Sequence, residues 1–391
     1  MQFAPVRRLD DGALVAAALR LRGGESSSAR MAEDLRRAAR LMQQQFELDE
    51  RTQRFAHDAA ARTVAEALPL LVPIDLTSMD ELLDPVDSPL HRLMVTVRPD
   101  TVLHAPQRAL DMVARARAAG RVICVDGVGV SENAITLLSL IEPDVVVTGP
   151  EVLRRWTDPK TAKLAHVLAA HIERSHATVI AEGVDTEALR TIAVTMGASY
   201  GIGALYPAVD TPAELLQEKV APLPDAPVWA TPHAGLSTPF AITSEHNVTR
   251  RGSKRLLIEM SKSLEVQAAN GGAGVVLLGT FQHAKHFTPS TAARWRAVAD
   301  TIGLAGVYGV GLNSILDGNF QHAPLDPDDP LVEEWNVVVL GPHFAAILSA
   351  RDRHDNGTDL ERTFDFVQSY DRLTVTQTAR SILSRFGNAP T

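Results

Sequence analysis

Short apolar runs alternate with amphipathic segments through the first half of the chain. Four of these runs are LLVPIDLT, RVICVDGV, DVVVTG and ATVIA. Between the runs, apolar residues recur at helical spacing, as in the segment from about Pro106 to Ala119. Repeated strand–helix units predict a parallel sheet, and the number of units favours an α/β fold closed into a (β/α) TIM-like barrel.

The pattern breaks near the middle of the chain. Between about Val220 and Pro239 the sequence is dense in proline and weak in periodicity, as linkers between domains are. A further set of strands and helices follows. We therefore expect a barrel over residues 1–217, a proline-rich linker over 218–236, and a smaller α/β domain over 237–391 that ends in a helical segment.

Composition and charge narrow the class of protein. A hydrophobic fraction of 45% is ordinary for a globular core, and a net charge of -9 argues against a general binder of nucleic acid or membrane surfaces. The one cysteine, Cys124, excludes an internal disulfide framework and fits a reducing compartment. No apolar stretch approaches about 18 residues, and the N-terminus lacks the apolar core of a signal peptide. We expect a cytoplasmic protein without a membrane span or a nucleic-acid partner.

One segment near the end of the first half carries a distinctive arrangement of residues. In VIAEGVDTE, from Val179 to Glu187, an apolar strand ends on the carboxylate of Glu182. A Gly-Val turn follows, and then a helix whose acidic first turn suits the positive end of the helix. This is the layout of the rim of a (β/α) barrel. Together with GASYGIG, which follows, the segment closely resembles the EAL family, the phosphodiesterases that linearise cyclic di-GMP.

The resemblance covers roughly residues 1–210 and implies a site in which carboxylates and an asparagine hold divalent metals at strand ends. Asp75 corresponds to the asparagine, and Arg22 corresponds to an arginine that holds a substrate phosphate in the family. The vestigial positions of an EAL site are therefore Arg22, Asp75, Asp126 and Glu182.

Other positions of the family pattern are replaced by residues that cannot do the same chemistry. A metal-binding glutamate is replaced by Ala18, and a further glutamate is replaced by Thr96. The second of two paired aspartates is replaced by Gly127. A lysine, an aspartate and a glutamine are replaced by Val147, Gly149 and Ile202, respectively. Without the lysine and the second aspartate, two-metal hydrolysis has no obvious route. We expect phosphodiesterase activity to be lost, with no catalytic residue, metal or cofactor, and the remaining carboxylates to be polar caps of strands.

Several segments of the second half share another resemblance. They include RRGSKRLLIEMSKSLEVQAAN, VVLLGTF, EEWNVVVLGPHFAAILSARD and RTFDFVQSYDRLTVTQTARSIL. These segments resemble the DICT family, a sensory module of diguanylate cyclases and two-component systems, which implies sensing or interaction without naming a ligand. The chain is poor in aromatic residues, yet five fall in this half and could line a pocket or fill the core. They are Phe281, Phe287, Trp295, Tyr308 and Trp335.

The two resemblances predict a bacterial signalling protein. In this hypothesis a sensory domain is coupled to a catalytically degenerate EAL barrel that acts through a signalling protein partner. Two alternatives stay open: a receptor that binds cyclic di-GMP without cleaving it, and an atypical cyclic di-GMP phosphodiesterase. A small-molecule ligand of the second domain and a homodimer are both compatible with the hypothesis. The sequence does not identify the ligand, the partner or the oligomeric state.

Overall fold

The computed structural model of the chain consists of two compact units. The first comprises Met1–Arg98, Met112–Ser131 and Pro143–Trp229, and the second comprises Pro99–Asp111, Glu132–Glu142 and Ala230–Thr391. The structure describes residues 1–21, 35–36, 38–80, 91–130, 133–217, 220–223, 231–232, 235, 237–356 and 358–386. Arg22 and residues 224–230 of the expected linker lie outside the described residues.

A closed barrel of eight strands forms the first unit, and its strands neighbour one another in sequence order. The strands are β1 (Gln2–Arg8), β2 (Leu14–Arg20), β3 (Leu70–Asp75), β4 (His91–Thr96), β5 (Val122–Val128), β6 (Val145–Thr148), β7 (Thr178–Glu182) and β8 (Tyr200–Ile202). Strand β1 is antiparallel to both β2 and β8, and the other neighbours are parallel. The turn between β1 and β2 uses Gly12 at φ +73°, a conformation that glycine adopts without strain. The predicted TIM-like barrel is confirmed.

Helices follow most of the barrel strands along the sequence. They are α1 (Gln45–Ala56), α2 (Ala59–Ala67), α3 (Pro99–His104), α4 (Pro106–Ala118), α5 (Ala134–Ile141), α6 (Pro150–Arg154), α7 (Pro159–Ser175), α8 (Glu187–Thr195) and α9 (Pro212–Leu215). Their starts follow the expected chemistry: Asp158 caps α7 through the backbone N–H of Lys160, and Pro159 occupies the first helical turn. Helices α3 and α5 and the first part of α4 belong to the second unit.

Alternation along β2 sorts its side chains between the two faces of the barrel wall. Ala17 and Leu19 pack outside the wall, whereas Ala16 and Ala18 pack in the apolar interior. Because successive side chains of a strand point to opposite faces, Arg20 lies on the interior side at the end of the strand. The interior also contains Cys124, and burial raises the pKa of its thiol well above the ordinary value.

An eight-stranded mixed sheet forms the centre of the second unit, in the order β12-β13-β11-β10-β14-β15-β16-β9. The strands are β9 (Arg250–Ser253), β10 (Val276–His283), β11 (Leu304–Val310), β12 (Ile315–Asp317), β13 (Phe320–Pro324), β14 (Glu334–Leu340), β15 (Ala345–Asp352) and β16 (Thr363–Ser369). Strand β11 is parallel to β10 and β13, while the other pairs are antiparallel. This sheet confirms a second α/β fold after the barrel.

The later helices of this unit are α10 (Pro239–His246), α11 (Lys254–Gly271), α12 (Pro289–Ala299) and α13 (Arg372–Leu383). Leu257 and Leu264 of α11 join Trp295 of α12 in one apolar cluster on the sheet. Gly279 of β10 makes this packing possible, because a Cβ there would lie 2.6 Å from the Trp295 ring. The absence of a side chain lets the indole lie against the strand.

A buried ion pair ties the last helix to the rest of the second unit. Arg380 of α13 donates to Glu142 at 2.9 Å, and both residues are less than 10% exposed. Arg380 also donates to the carbonyl oxygens of Leu140 and Thr231, each at 2.8 Å. Glu142 accepts a further bond from the backbone N–H of Thr231 at 2.8 Å. Leu140 and Glu142, at the end of α5, are therefore fixed to α13 by a hydrogen-bonded charge pair.

No helix in the described part of the chain combines the length and the apolar character that crossing a bilayer requires.

Candidate functional site

Three predicted site residues lie at one rim of the barrel. Strands β3 to β7 are parallel, so their carboxyl ends share that rim. Asp75 is the last residue of β3, Glu182 is the last residue of β7, and Asp126 lies two residues before the end of β5. Arg22, the fourth predicted position, lies outside the described residues.

The oxygens of Asp75 are engaged by groups of the chain itself. Arg98 Nε donates to Asp75 Oδ2 at 2.6 Å, while the hydroxyl and backbone N–H of Thr77 donate to Oδ1 at 2.7 and 3.0 Å. The residue is only 6% exposed. Both carboxylate oxygens therefore have partners, as a buried charge requires.

Asp126 has a similar but looser arrangement. Arg36 Nη1 lies 3.5 Å from Asp126 Oδ2, and the backbone N–H of Gly127 donates to Oδ1 at 2.7 Å. Gly127 adopts φ +67° next to an irregularity of the strand between Val125 and Val128. Gly127, which the sequence resemblance aligns with the second of the paired aspartates, thus has no side chain and a left-handed backbone.

Glu182 is paired with Arg20, and both side chains are more than four-fifths buried. The chain turns sharply at the next residue, Gly183, where φ is +81° and a Cβ would lie 2.9 Å from Pro150 Cβ. Only glycine satisfies both the conformation and the space at this turn. Glu182 is therefore held by local geometry, whereas its cationic partner comes from the end of a distant strand.

Each of the three rim carboxylates consequently faces an arginine. A guanidinium stays charged at any ordinary pH, and it occupies carboxylate lone pairs that a hard cation would need. Within the described ranges, no three histidine, cysteine, aspartate or glutamate side chains are placed to hold a metal ion together. The donor set at this rim does not fit the pair of metals that the resemblance implies.

The interior below the rim is apolar, and several of the positions that the sequence resemblance predicts to be replaced contribute to it. Ala18, Val147 and Ile202 all belong to the interior cluster. Thr96 is the register neighbour of Asp75 on β4, and both residues border a cavity of about 90 Å³ at the rim. Gly149 caps α6, where a Cβ would lie 2.1 Å from Val130 Cγ2. No side chain fits there unless Val130 moves.

Sequence reasoning missed Asp49, a carboxylate of α1 beside Asp75. Asp49 Oδ2 accepts the backbone N–H of Asp75 at 3.1 Å, and Oδ1 accepts Gln45 Nε2 at 2.9 Å. Burial raises the pKa of this carboxyl above its ordinary value. The sequence did contain a pattern that could have identified Asp49. Asp49, Thr52 and Gln53 are polar residues at helical spacing, and they lie on the buried face of α1.

Two cavities open at the rim. The smaller, about 90 Å³, is bordered by Asp75, Asp126 and their two arginines, with Asp49. The larger, about 340 Å³, is bordered by Arg20, Glu182, Arg154 and Tyr206. The Tyr206 hydroxyl is buried without a hydrogen-bond partner in the described part of the chain, and burial raises its pKa.

The second unit contains a further cavity of about 350 Å³. Of the five aromatic residues named from the sequence, Phe281 and Trp335 line it, and they are direct neighbours across β10 and β14. Phe287 packs against Phe281 with the ring centroids 5.0 Å apart, and it does not border the cavity.

The other two aromatic residues are in the core. Trp295 is fully buried and donates to Glu265 at 3.0 Å. Tyr308 is also fully buried, stacks on Phe386 at 3.8 Å and donates to Gln321 at 3.1 Å. Neither ring borders the cavity, and each has its polar atom hydrogen-bonded to a neighbouring side chain, so these rings stabilise the core of the unit.

Comparison with known families agrees with these two folds. The family model described as the EAL domain matches residues 1–208, which is more than half of the chain. The chain belongs to the EAL domain family. The EAL match contains β1 to β8 and the rim. The model described as a sensory domain in diguanylate cyclases and two-component systems, DICT, matches residues 241–353.

Solved structures similar to the chain include EAL proteins. The EAL enzyme Bd1971 in its cGMP-bound form is 17% identical over 55% of this chain and 63% of that chain, with a TM-score of 0.37. Klebsiella pneumoniae BlrP1 in a calcium and cyclic di-GMP complex is 19% identical over 52% and 54%, with a TM-score of 0.43. The Xanthomonas citri FimX EAL domain, in complex with cyclic di-GMP, is 18% identical over 53% and 86%, with a TM-score of 0.40. Thus the chain covers just under two thirds of the Bd1971 chain. No curated protein matches the sequence.

Proposed function

We propose that this protein is a component of cyclic di-GMP signalling whose EAL barrel does not hydrolyse the nucleotide. In this proposal the barrel acts through contacts with a signalling protein, and the DICT unit senses a signal that modulates those contacts. The presence of both families in one chain supports a signalling role. The observation that carries the loss of catalysis is the pairing of Asp75, Asp126 and Glu182 with three arginines.

The electrostatic consequence of this pairing opposes metal binding. Two unit charges about 4 Å apart near a protein surface interact by about 4 kcal/mol, and a divalent ion doubles that repulsion from a guanidinium. A metal ion at this rim would also have to displace arginine hydrogen bonds from the oxygens that it needs. Two-metal hydrolysis requires two such ions side by side, so the cost would arise twice.

An assay of hydrolysis by the chain of residues 1–391 tests this proposal directly. Cyclic di-GMP is incubated with the protein and Mn²⁺ or Mg²⁺, and the linear dinucleotide is measured. We expect no product above that of the buffer. The matched variants are Glu182→Gln at the rim and Glu187→Gln on the exposed start of α8. Metal-dependent turnover that Glu182→Gln abolishes and Glu187→Gln retains would establish an atypical phosphodiesterase instead.

One observation favours a receptor as the second candidate. The larger rim cavity carries two arginines, Arg20 and Arg154, which pair with Glu182 and Asp185 of the same cavity, and the unpartnered hydroxyl of Tyr206. Guanidinium groups bind phosphate through paired hydrogen bonds, and a cavity of about 340 Å³ is within the range of ligand sites.

Titration with cyclic di-GMP in the presence of EDTA separates the two candidates. A receptor shows saturable binding that Arg154→Gln weakens and that Arg155→Gln, on the exposed neighbouring residue, leaves unchanged. If binding is absent, the barrel acts through protein contacts alone.

A further inference from the structure

The cavity of the second unit has an apolar, largely aromatic floor. Phe281, Trp335 and Val337 come from β10 and β14, Phe364 comes from β16, and Ile258 of α11 faces them. Flat apolar bodies pack well against such rings. The floor therefore selects a ligand with an aromatic or similarly flat apolar body.

Two residues that line this cavity carry a buried polar atom without a partner in the described part of the chain. Ser261 is 4% exposed, and its hydroxyl has no hydrogen-bond partner among the residues that the structure describes. The same holds for the indole Nε1 of Trp335. A buried polar group without a hydrogen bond is unfavourable, and a ligand that supplies the missing bond gains affinity from it. Because an indole N–H only donates, the ligand must offer it an acceptor.

The charges that border the cavity are mainly positive. Lys254, Lys262, Lys285 and Arg294 line it, against Glu265 and Asp359. Three of these cations are paired: Lys254 with Asp359 and Lys262 with Glu259, each at 2.7 Å, and Arg294 with Glu265. Lys285 has no ion pair or hydrogen bond within the described ranges, so its charge is available to a ligand.

The start of helix α12 is a second source of positive charge at the cavity. Thr288, Ser290 and Thr291 line the cavity at the start of α12, an 11-residue helix. The N-terminus of a helix carries partial positive charge, which favours an anionic group. Lys285 and the start of the helix both line the cavity and are only three residues apart in the sequence.

We infer that this cavity binds a small organic anion with an aromatic body and one carboxylate, and that this anion is the signal of the sensory unit. The inference rests on the sensory role proposed above. The aromatic body lies on Phe281, Trp335 and Phe364, and the carboxylate faces Lys285 and the start of α12. The Trp335 N–H and the Ser261 hydroxyl supply the remaining hydrogen bonds.

Calorimetric titration of the full chain with matched pairs of probes tests the inference. The carboxylates are benzoate, phenylacetate and cinnamate, and the neutral counterparts are the three corresponding amides. We expect at least one carboxylate to bind saturably, and its amide to bind about tenfold more weakly, as loss of a charge-assisted hydrogen bond implies. The titrations contain neither cyclic di-GMP nor metal, so their outcome is independent of hydrolysis at the barrel.

Three variants locate the site. Lys285→Gln should reduce carboxylate affinity about tenfold and remove the preference over the amide. Lys163→Gln, an exposed lysine of α7, is the control and should change neither. Ile258→Trp fills the cavity and should abolish binding of both probes. The inference is overturned if none of the three carboxylates binds, if carboxylate and amide bind equally, or if Lys285→Gln and Ile258→Trp both leave carboxylate affinity unchanged.

Discussion

Asp75 at the end of β3 accepts a 2.6 Å hydrogen bond from Arg98, which lies two residues beyond the end of the neighbouring strand β4. The two strands are in parallel register up to Asp75 and Thr96. This register brings Arg98, two residues after β4, to the carboxylate at the end of β3. The chain itself thus supplies a positive charge at the rim.

Removal of that charge should destabilise the protein. We expect Arg98→Met to lower the free energy of unfolding by about 2–3 kcal/mol, because Asp75 is left buried with one partner fewer. Urea denaturation measures the change. Arg54→Met is the control, because Arg54 pairs with Glu50 in an exposed position and such pairs contribute about 0.5 kcal/mol or less. Equal effects of the two substitutions would contradict a buried role for Arg98.

Removal of the rim arginines should raise the affinity of the rim for metal ions. The double variant Arg20→Ala with Arg98→Ala frees carboxylate oxygens of Glu182 and Asp75 and removes two repelling charges. We expect it to bind Mn²⁺ at least about tenfold more tightly than the unaltered protein, measured by electron paramagnetic resonance. Arg54→Ala should leave Mn²⁺ affinity unchanged. If the unaltered chain binds Mn²⁺ as tightly as the double variant, the arginines do not oppose metal binding.

A histidine beside the second cavity predicts a pH dependence of stability. Burial lowers the pKa of His286 to about 4, and Lys254 and Lys285 add to the effect. Arg362 lowers the pKa further, while Asp359 raises it. A lowered pKa means that protonation favours the unfolded state, so this contribution is complete above about pH 6.5 and is lost as the pH falls towards 4.

The measurement compares unfolding of the protein and of His286→Gln between these pH values. We expect the loss of stability on acidification to be smaller in His286→Gln, because its side chain takes up no proton. His246→Gln, at an exposed position, should follow the unaltered protein. Identical pH profiles for the unaltered protein and His286→Gln would show that His286 is not the titrating group.

The Arg380–Glu142 pair makes a strong prediction for the second unit. Arg380→Met leaves Glu142 buried with one cation fewer, and we expect a loss of about 3–5 kcal/mol in the free energy of unfolding. Adding Glu142→Gln should recover part of that loss, since the uncompensated charge is removed. Arg255→Met, on the exposed face of α11, is the control. Denaturation curves that superimpose for Arg380→Met and Arg255→Met would disprove the role of the pair.

The position of Glu182 was predictable, whereas its partner was not. A strand, a carboxylate, a Gly-containing turn and a helix are neighbours in sequence, so the local pattern places Glu182 at the rim. Arg20 reaches it only because the barrel closes. The contact of Arg36 with Asp126 likewise joins residues 90 positions apart. Long-range ion pairs of this kind depend on register and closure, which hydrophobic periodicity does not encode.

The aromatic residues show a different limit of sequence reasoning. Trp295 and Trp335 looked equivalent as candidates for a pocket. Gly279 leaves space for Trp295 over the sheet, and Glu265 satisfies its N–H, which makes it a core residue. Trp335 has no comparable partner in the described ranges and stays at the cavity. The difference between the two tryptophans thus depends on residues such as Gly279 and Glu265, which belong to other strands and helices.

The second unit draws Pro99–Asp111 and Glu132–Glu142 from the part of the sequence that also builds the barrel. A gene that encodes only the residues after the proline-rich stretch would therefore produce a second unit that lacks two of its own segments, and Arg380 would lose Glu142. The two units would then be inherited, lost or transferred together, because no single cut in the chain separates them.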